Sequence, residues 1–158
     1  TKEKYNKKTG AFYTPEYIAR FFAKYIQRNV NFSKFKTAKI LEPASGSGIF
    51  LRTLLEVQFE QIVANANLDK NELIEVFGNI KAIDKDANAA IATRLSLSLL
   101  YYLFFERLPE LNVIEGDTLK KAIESVDFIE EKFDIIISIK SKAINFIIFF
   151  VITFTIFF

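Results

Sequence analysis

Residues 39–51, KILEPASGSGIFL, constrain the fold of this chain more than any other segment. A short apolar strand leads into Glu42, then into a turn that contains Gly46 and Gly48, and then into an apolar helix. Glycine permits a tight turn and close approach of the backbone to a ligand, while Glu42 leaves a carboxylate at the C-terminal end of the strand. This order of elements predicts a pocket for a nucleoside-bearing cofactor.

The rest of the chain repeats the alternation of strand and helix. We predict strands at 38–42, 78–83, 111–115 and 133–138, a long Ala- and Leu-rich helix from Asp84 and Asp86 to about Glu106, and a short helix at 118–125. Alternating strands and helices indicate an α/β fold, a doubly wound parallel sheet covered on both faces. Right-handed crossovers bring the strand ends to one edge, so we expect Glu42, Asp84 and Asp117 to lie there together.

Composition limits the chemistry that such a site can perform. The 158 residues amount to one domain, and a net charge of +2 creates no overall field that favours nucleic acid. The chain has no Cys and no His, which excludes thiolate nucleophiles, Cys-based zinc sites and imidazole acid–base catalysis. Any reaction must rest on carboxylates, amides, hydroxyls, backbone groups or a bound cofactor. The chain also has no Met, from which we expect it to be a piece of a longer product.

The N-terminal region divides into a basic segment, residues 1–13, and a predicted helix. Thr14 is placed to cap this helix and Pro15 to occupy its first turn. Apolar residues recur at helical spacing behind them, and we interpret this stripe as core and not as a platform for stacking bases. The stripe comprises Ile18, Phe21, Phe22, Tyr25 and Ile26.

Several ordered motifs together resemble one family. They are GAFYTP at 10–15, LEPASGSGIFL at 41–51, AIDKD at 82–86, EGD at 115–117 and FDIIIS at 133–138. This set resembles the N6-adenine DNA methyltransferases of restriction-modification systems, in particular the type IIG and type I modification polypeptides. The resemblance covers about residues 8 to 138 and implies a methyltransferase domain of the Rossmann-like type over 14–138, cut off after about four strands.

The resemblance implies S-adenosylmethionine as cofactor and assigns residues to its parts. Thr14 and Pro15 would contact the amino-acid end, and the residues around the methionine portion would be Glu42, Ala44, Gly46 and Gly48. Asp84 would hold the ribose hydroxyls, and Asp117 would accept from the adenine amino group, with Lys85 and Thr118 flanking the ring. The position of Asp84 after the second strand supports its role independently, because dinucleotide-binding folds place an acid there for the ribose.

The catalytic motif of that family is missing. In the family the fourth strand continues directly into Asn-Pro-Pro-Tyr, which holds the amine of a flipped-out adenine and stacks on the base. Here those positions carry Ile139, Lys140, Ser141 and Lys142, which supply neither the acceptors nor the aromatic ring. We therefore expect this chain alone to lack transferase activity.

The last part of the chain, residues 139–158, differs in composition from everything before it. Residues 143–158 contain six Phe and no charged residue or glycine. We interpret 139–158 as a tail translated out of frame, because the change of composition begins inside the expected catalytic motif. A membrane anchor is the other interpretation, but sixteen residues fall just below the ~17 to 25 needed to span a bilayer.

The intact parent is thus expected to methylate adenine N6 in duplex DNA, in the cytoplasm and without a metal. Two alternatives remain open at this stage. One is a relative that methylates protein glutamine, since such enzymes share the Asn-Pro-Pro-Tyr device. The other is a noncatalytic product, either a cofactor-binding remnant or a small protein tethered to a membrane.

Overall fold

The computed structural model describes residues 14–65, 67–118, 120 and 132–138, and the backbone of residues 140–142, 145–147 and 150–151. The predicted helix at 118–125 lies for the most part outside these residues. Helices are α1 (Glu16–Asn29), α2 (Phe32–Phe35), α3 (Ile49–Ala64), α4 (Ile74–Gly78) and α5 (Ala87–Phe105), with a 3-10 turn at Lys70–Leu73.

The strands form a sheet whose order places the earliest strand in the middle. They are β1 (Ile40–Glu42), β2 (Ile80–Asp84), β3 (Asn112–Glu115), β4 (Ile135–Ile137), β5 (Lys140–Lys142), β6 (Asn145–Ile147) and β7 (Phe150–Val151). The main sheet has the order β3-β2-β1-β4-β7, and its first four strands are parallel. The predicted α/β fold with four parallel strands is confirmed.

The order of the strands reverses beside β1. The chain runs outward from β1 through β2 to β3, and then returns to add β4 on the other side of β1. In open parallel sheets, ligands bind outside the carboxyl ends of the strands at such a reversal, because the flanking loops diverge there and leave a crevice. The end of β1 is Glu42.

Among the described residues, one hydrophobic core lies between the sheet and its helices. All three residues of β1 are buried, as expected for a strand with a neighbour on each side. Helix α3 contributes Leu51, Leu54 and Leu55, each no more than 1% exposed. Phe59 of α3 stacks on Phe104 with ring centroids 3.6 Å apart, which joins α3 to the end of α5.

Helix α1 differs from the prediction in both its start and its buried face. Its N-cap is Pro15, whose carbonyl oxygen accepts from the amides of Ile18 and Ala19, so Thr14 is not the cap. Phe21 and Tyr25 are 65% and 45% exposed, so their assignment to the core is wrong.

The physical reason is the size of the residues that face α3. Ala19, Ala23 and Ile26 are the buried residues of α1, and small side chains let two helices approach closely. Ile18 and Phe22 still pack against the core from the side. The bulky rings at Phe21 and Tyr25 are left on the opposite face of the helix.

The C-terminal part of the described chain adds short antiparallel pairs. Phe150–Val151 pairs with Ile136 and Ile137 of β4, while Lys140–Lys142 pairs with Asn145–Ile147 in a separate two-stranded sheet. Two residues of β7 pair with the side of β4 that faces away from β1, because an exposed ladder of N–H and C=O groups accepts any extended segment within reach.

Candidate cofactor site

The loop between β1 and α3 is a tight, backbone-bonded turn. Gly46 and Gly48 both have positive φ, +55° and +74°, a conformation that side chains disfavour. Gly48 is the N-cap of α3, and its amide donates to the Ser45 carbonyl oxygen at 2.7 Å. The Ser45 amide donates to the Ile83 carbonyl oxygen at 3.0 Å, which ties the loop to β2.

Asp84, at the end of β2, fixes this loop from the neighbouring strand. Its Oδ2 accepts from the Gly46 amide at 2.7 Å, and its Oδ1 accepts from the Asp86 amide at 2.9 Å. A carboxylate has about four lone-pair sites, so each oxygen retains capacity for a ligand hydroxyl. Asp84 therefore positions the glycine loop and still presents acceptors at the sheet edge.

Glu42 is a carboxyl group buried at the floor of the site. The residue is 2% exposed, and its Oε2 has no hydrogen-bond partner within the described part of the chain. Burial raises the pKa of Glu42 well above its usual range, and the nearby charge of Asp84 raises it further, against the opposing effect of the Leu51 amide. Such a group retains an unused polar atom, which a cationic or hydrogen-bonding ligand would satisfy.

Thr93 of α5 supports the loop from behind, a role that no motif in the sequence indicates. Its Oγ1 hydrogen-bonds with Ser45 Oγ at 3.0 Å and donates to the Gly46 carbonyl oxygen at 3.1 Å. A Cβ at Gly48 would come within 3.1 Å of Thr93, whereas a Cβ at Gly46 would meet no atom within 4 Å. Gly48 is thus required for packing, and Gly46 faces open space.

The segment after β3 lies beside the ends of β1 and β2, at the carboxyl edge of the sheet. The Gly116 amide donates to the Asp84 carbonyl oxygen at 2.8 Å, and Thr118 Oγ1 donates to the Pro43 carbonyl oxygen at 2.6 Å. Asp117 is exposed, and its Oδ1 accepts from the Lys120 amide at 3.3 Å. Three strand exits predicted to converge therefore do lie side by side.

Other residues of the predicted site are less closely tied to it. Thr14 is half-buried and Pro15 exposed, and among the described residues no hydrogen bond joins either of them to the glycine loop. Lys85 is exposed, and so is Ala44 within the loop. Contacts between these four positions and a cofactor stay predictions.

The positions expected to carry catalysis have a different structure from a substrate-binding loop. Ile139 lies outside the described residues, and the backbone of Lys140–Lys142 forms β5, paired antiparallel with β6. Within the described ranges, no group of three or more carboxylates is arranged to hold a metal ion.

These features define a doubly wound α/β domain with an acidic glycine loop at the reversal of its sheet. Residues 2–140 match the family described as N-6 DNA Methylase, and the chain belongs to that family. A comparison with curated proteins gave no match.

Two solved structures share the fold. The DrdV–DNA complex, determined by cryo-electron microscopy, superposes with a TM-score of 0.59 at 22% identity, over 75% of this chain and 12% of that one. The ATP-dependent Type ISP restriction-modification enzyme LlaBIII bound to DNA gives a TM-score of 0.60 at 13% identity, over 87% of this chain and 11% of that one. The present chain thus spans about an eighth or less of the length of these proteins.

Proposed function

We propose that this chain is the cofactor-binding part of a DNA methyltransferase that uses S-adenosylmethionine to methylate adenine N6 in duplex DNA, within a restriction-modification system. The observation that carries the proposal is the joining of Glu42, the glycine loop and Asp84 at the sheet reversal. Membership of the N-6 DNA methylase family supports the reaction class. The likeness to restriction-modification enzymes in complex with DNA supports duplex DNA as the partner.

The residues present fit this cofactor. Glu42 Oε2 is a buried acceptor without a partner, suited to the cationic amino-acid end, and the open space at Gly46 lets a ligand approach the backbone. Asp84 would accept the ribose hydroxyls, and Asp117 and Thr118 would lie at the adenine end with Lys85 beside the ring. Thr14, Pro15 and Ala44 are assigned to the methionine end. When bound, the sulfonium of this cofactor supplies an electrophilic methyl group.

The protein's contribution to such a transfer is positioning. The Asp84 carboxylate and Thr93 hold the loop in one conformation before any ligand arrives, which lowers the ordering cost of binding. The amine to be methylated would be held by the Asn-Pro-Pro-Tyr segment, which this chain replaces with Ile139, Lys140, Ser141 and Lys142. We therefore propose that the chain binds cofactor but transfers no methyl group alone.

Isothermal titration calorimetry with S-adenosylmethionine tests cofactor binding. We expect saturable heat with the natural chain, a loss of at least tenfold in affinity for Asp84→Asn, and unchanged affinity for Asp86→Asn. Asp86 is the matched control because its side chain accepts from the Asn88 amide as a helix cap, a task that Asn performs equally well. Absence of saturable heat from a folded chain would overturn the cofactor assignment and leave a noncatalytic remnant.

Methyl transfer is measured separately, with radiolabelled S-adenosylmethionine and duplex DNA of mixed sequence. We expect no incorporation into DNA above background. Incorporation at adenine N6 would show that the Asn-Pro-Pro-Tyr motif is dispensable here and would overturn the proposed inactivity, while leaving the cofactor assignment intact.

A further inference from the structure

The outer face of α5 carries an unusual stripe of exposed apolar side chains. Ile91, Leu95 and Leu99 follow at four-residue spacing and are 59%, 58% and 55% exposed, and the stripe continues through Tyr102 and Leu103 at 52% and 76%. From Ile91 to Leu103 it extends for roughly 18 Å along the helix. We call these five residues the α5 ridge.

A groove lies directly beside the α5 ridge. It has a volume of about 320 Å³ and is lined by residues of α5, of the first turn of α3 and of the loop before α3. The lining residues are Ser47, Ile49, Arg52, Ala92, Leu95, Ser96 and Leu99. A projecting apolar ridge thus borders a hollow on the same surface, and two ridge residues, Leu95 and Leu99, also line that hollow.

We propose that the α5 ridge and its groove form the interface of a two-fold symmetric dimer of this chain. A two-fold axis across α5 sets the two helices antiparallel, so that the ridge of each copy enters the groove of the other. A ridge beside a groove is self-complementary in this way, since one surface supplies both the knob and the hole.

The scarcity of charge on this face argues against nucleic acid and against a membrane surface as its partner. Arg94 is the only charged residue of α5, and it turns away to donate to the Val113 carbonyl oxygen of β3 at 2.7 Å. Nucleic acid requires several cations facing its phosphates, and helices that lie on membranes carry Lys and Arg beside their apolar face. Arg52 is the only charged residue among those that line the groove, and it is paired with Glu56 at 2.7 Å.

Helix α5 also has the length and composition of a membrane span, by those two criteria alone. Its other face packs against β2, β3 and α3, with Ala90, Thr93, Leu97, Leu100 and Tyr101 buried. A helix held by the sheet in this way cannot cross a bilayer while the domain is folded. The apolar composition therefore reflects one face for the core and one face for a partner.

The apolar area that the α5 ridge exposes is of the size expected for a reversible dimer. Each of the five ridge side chains exposes on the order of 100 Å², so two copies would bury about 1,000 Å² in total, near the lower limit of a specific interface. We expect an equilibrium between monomer and dimer with a dissociation constant of about 1 to 100 µM.

Analytical ultracentrifugation of the full chain across that concentration range tests the interface. We expect Leu95→Lys with Leu99→Lys to weaken association at least tenfold, because two charges would enter an apolar contact. The matched control is Val63→Lys with Leu108→Lys, which adds the same charge at aliphatic positions 79% and 75% exposed outside the ridge. Association through the Phe-rich segment 143–158 would persist in both double variants. A dimer that neither double variant weakens would therefore indicate that segment.

A monomer at all concentrations, or a dimer equally stable in both double variants, would overturn the proposal. Co-sedimentation with phosphatidylcholine vesicles, lost in the ridge variant and retained in the control, would assign the face to a membrane instead. Circular dichroism of both variants confirms that they are folded.

Cross-linking locates the contact directly. The chain has no Cys, so Ser96→Cys in the groove provides a single reactive site, and Ser33→Cys on α2 provides an exposed control. We expect a short bismaleimide to join two copies through position 96 and not through position 33. Equal cross-linking at both positions would contradict the proposed face. None of these measurements requires a cofactor.

Discussion

Glu42 illustrates a conflict between stability and function in one carboxyl group. Its burial and the charge of Asp84 raise its pKa above the ordinary value, so ionisation disfavours the folded state. The stability associated with its neutral form is fully present below the unfolded pKa, ordinarily about 4.3, and is lost as the pH rises through the raised folded pKa. A ligand cation beside Glu42 would stabilise the ionised carboxylate and so oppose this rise in pKa.

The substitution Glu42→Gln removes the ionisation and almost nothing else. We expect a thermal midpoint above that of the natural chain at pH 8, by about 2 to 4 °C for each kcal/mol gained, and equal midpoints near pH 4. Calorimetry should show weaker binding of S-adenosylmethionine by the same variant. If the thermal midpoints of the variant and the natural chain differed by the same amount at every pH, ionisation of Glu42 would not be the cause of the difference.

The two loop glycines have different requirements, which substitution by alanine should separate. Gly46→Ala adds only the cost of a left-handed conformation, about 1 to 2 kcal/mol. Gly48→Ala adds that cost and a contact of 3.1 Å with Thr93, including its backbone Cα. We expect Gly48→Ala to destabilise the chain by at least about 1 kcal/mol more than Gly46→Ala, as measured by urea unfolding. Equal losses of stability would show that α5 shifts at Thr93 to accommodate the added methyl group without measurable cost.

At the scale of elements, the start of α5 separates a capping acid from a site acid. The Asp86 side chain accepts from the Asn88 amide at 2.9 Å, as predicted for a helix cap, whereas Asp84 holds the glycine loop. We expect Asp86→Ala to cost about 1 kcal/mol in the free energy of unfolding with little change in cofactor affinity. A large loss of affinity in Asp86→Ala would extend the site to this residue.

The parallel elements were predictable because each has a strong local signal. The apolar runs that end at Glu42, Asp84 and Glu115 fix where the strands end, and parallel pairing then brings those ends together. Local pattern could not identify which apolar residues of α1 face the core. Both faces of that helix carry apolar side chains, and the close approach that selects Ala19 and Ala23 is a property of the packed pair.

The support from Thr93 was also beyond the reach of sequence pattern. Thr93 lies 45 residues beyond Gly48 along the chain, within a helix whose remaining residues are chiefly Ala, Leu and Ser. Nothing in that helix distinguishes a threonine that packs behind a loop from one that faces solvent. The packing of α5 against α3 and β2 is what turns Thr93 toward the glycine loop.

In the whole molecule, the strands that carry the site differ in how readily their backbone hydrogen bonds open. β1 lies between β2 and β4, whereas β3 forms the outer edge of the sheet. Backbone hydrogen bonds at the centre of a sheet open chiefly through global unfolding, while those at an edge open locally. The loop that follows β1 is thereby anchored on a strand that is paired on both sides.

Hydrogen exchange with and without S-adenosylmethionine tests this arrangement across the chain. In the free protein we expect exchange to be slowest in Ile40–Glu42 and Ile80–Asp84 and faster in Asn112–Glu115. The cofactor should slow exchange most at residues 43–48 and 84–86, because it stabilises the Gly46–Asp84 hydrogen bond that joins the two loops. Protection confined to α1, or spread evenly over all strands, would contradict a site at the reversal of the sheet. Mass spectrometry of peptic peptides resolves these segments, since each lies in a different part of the sequence.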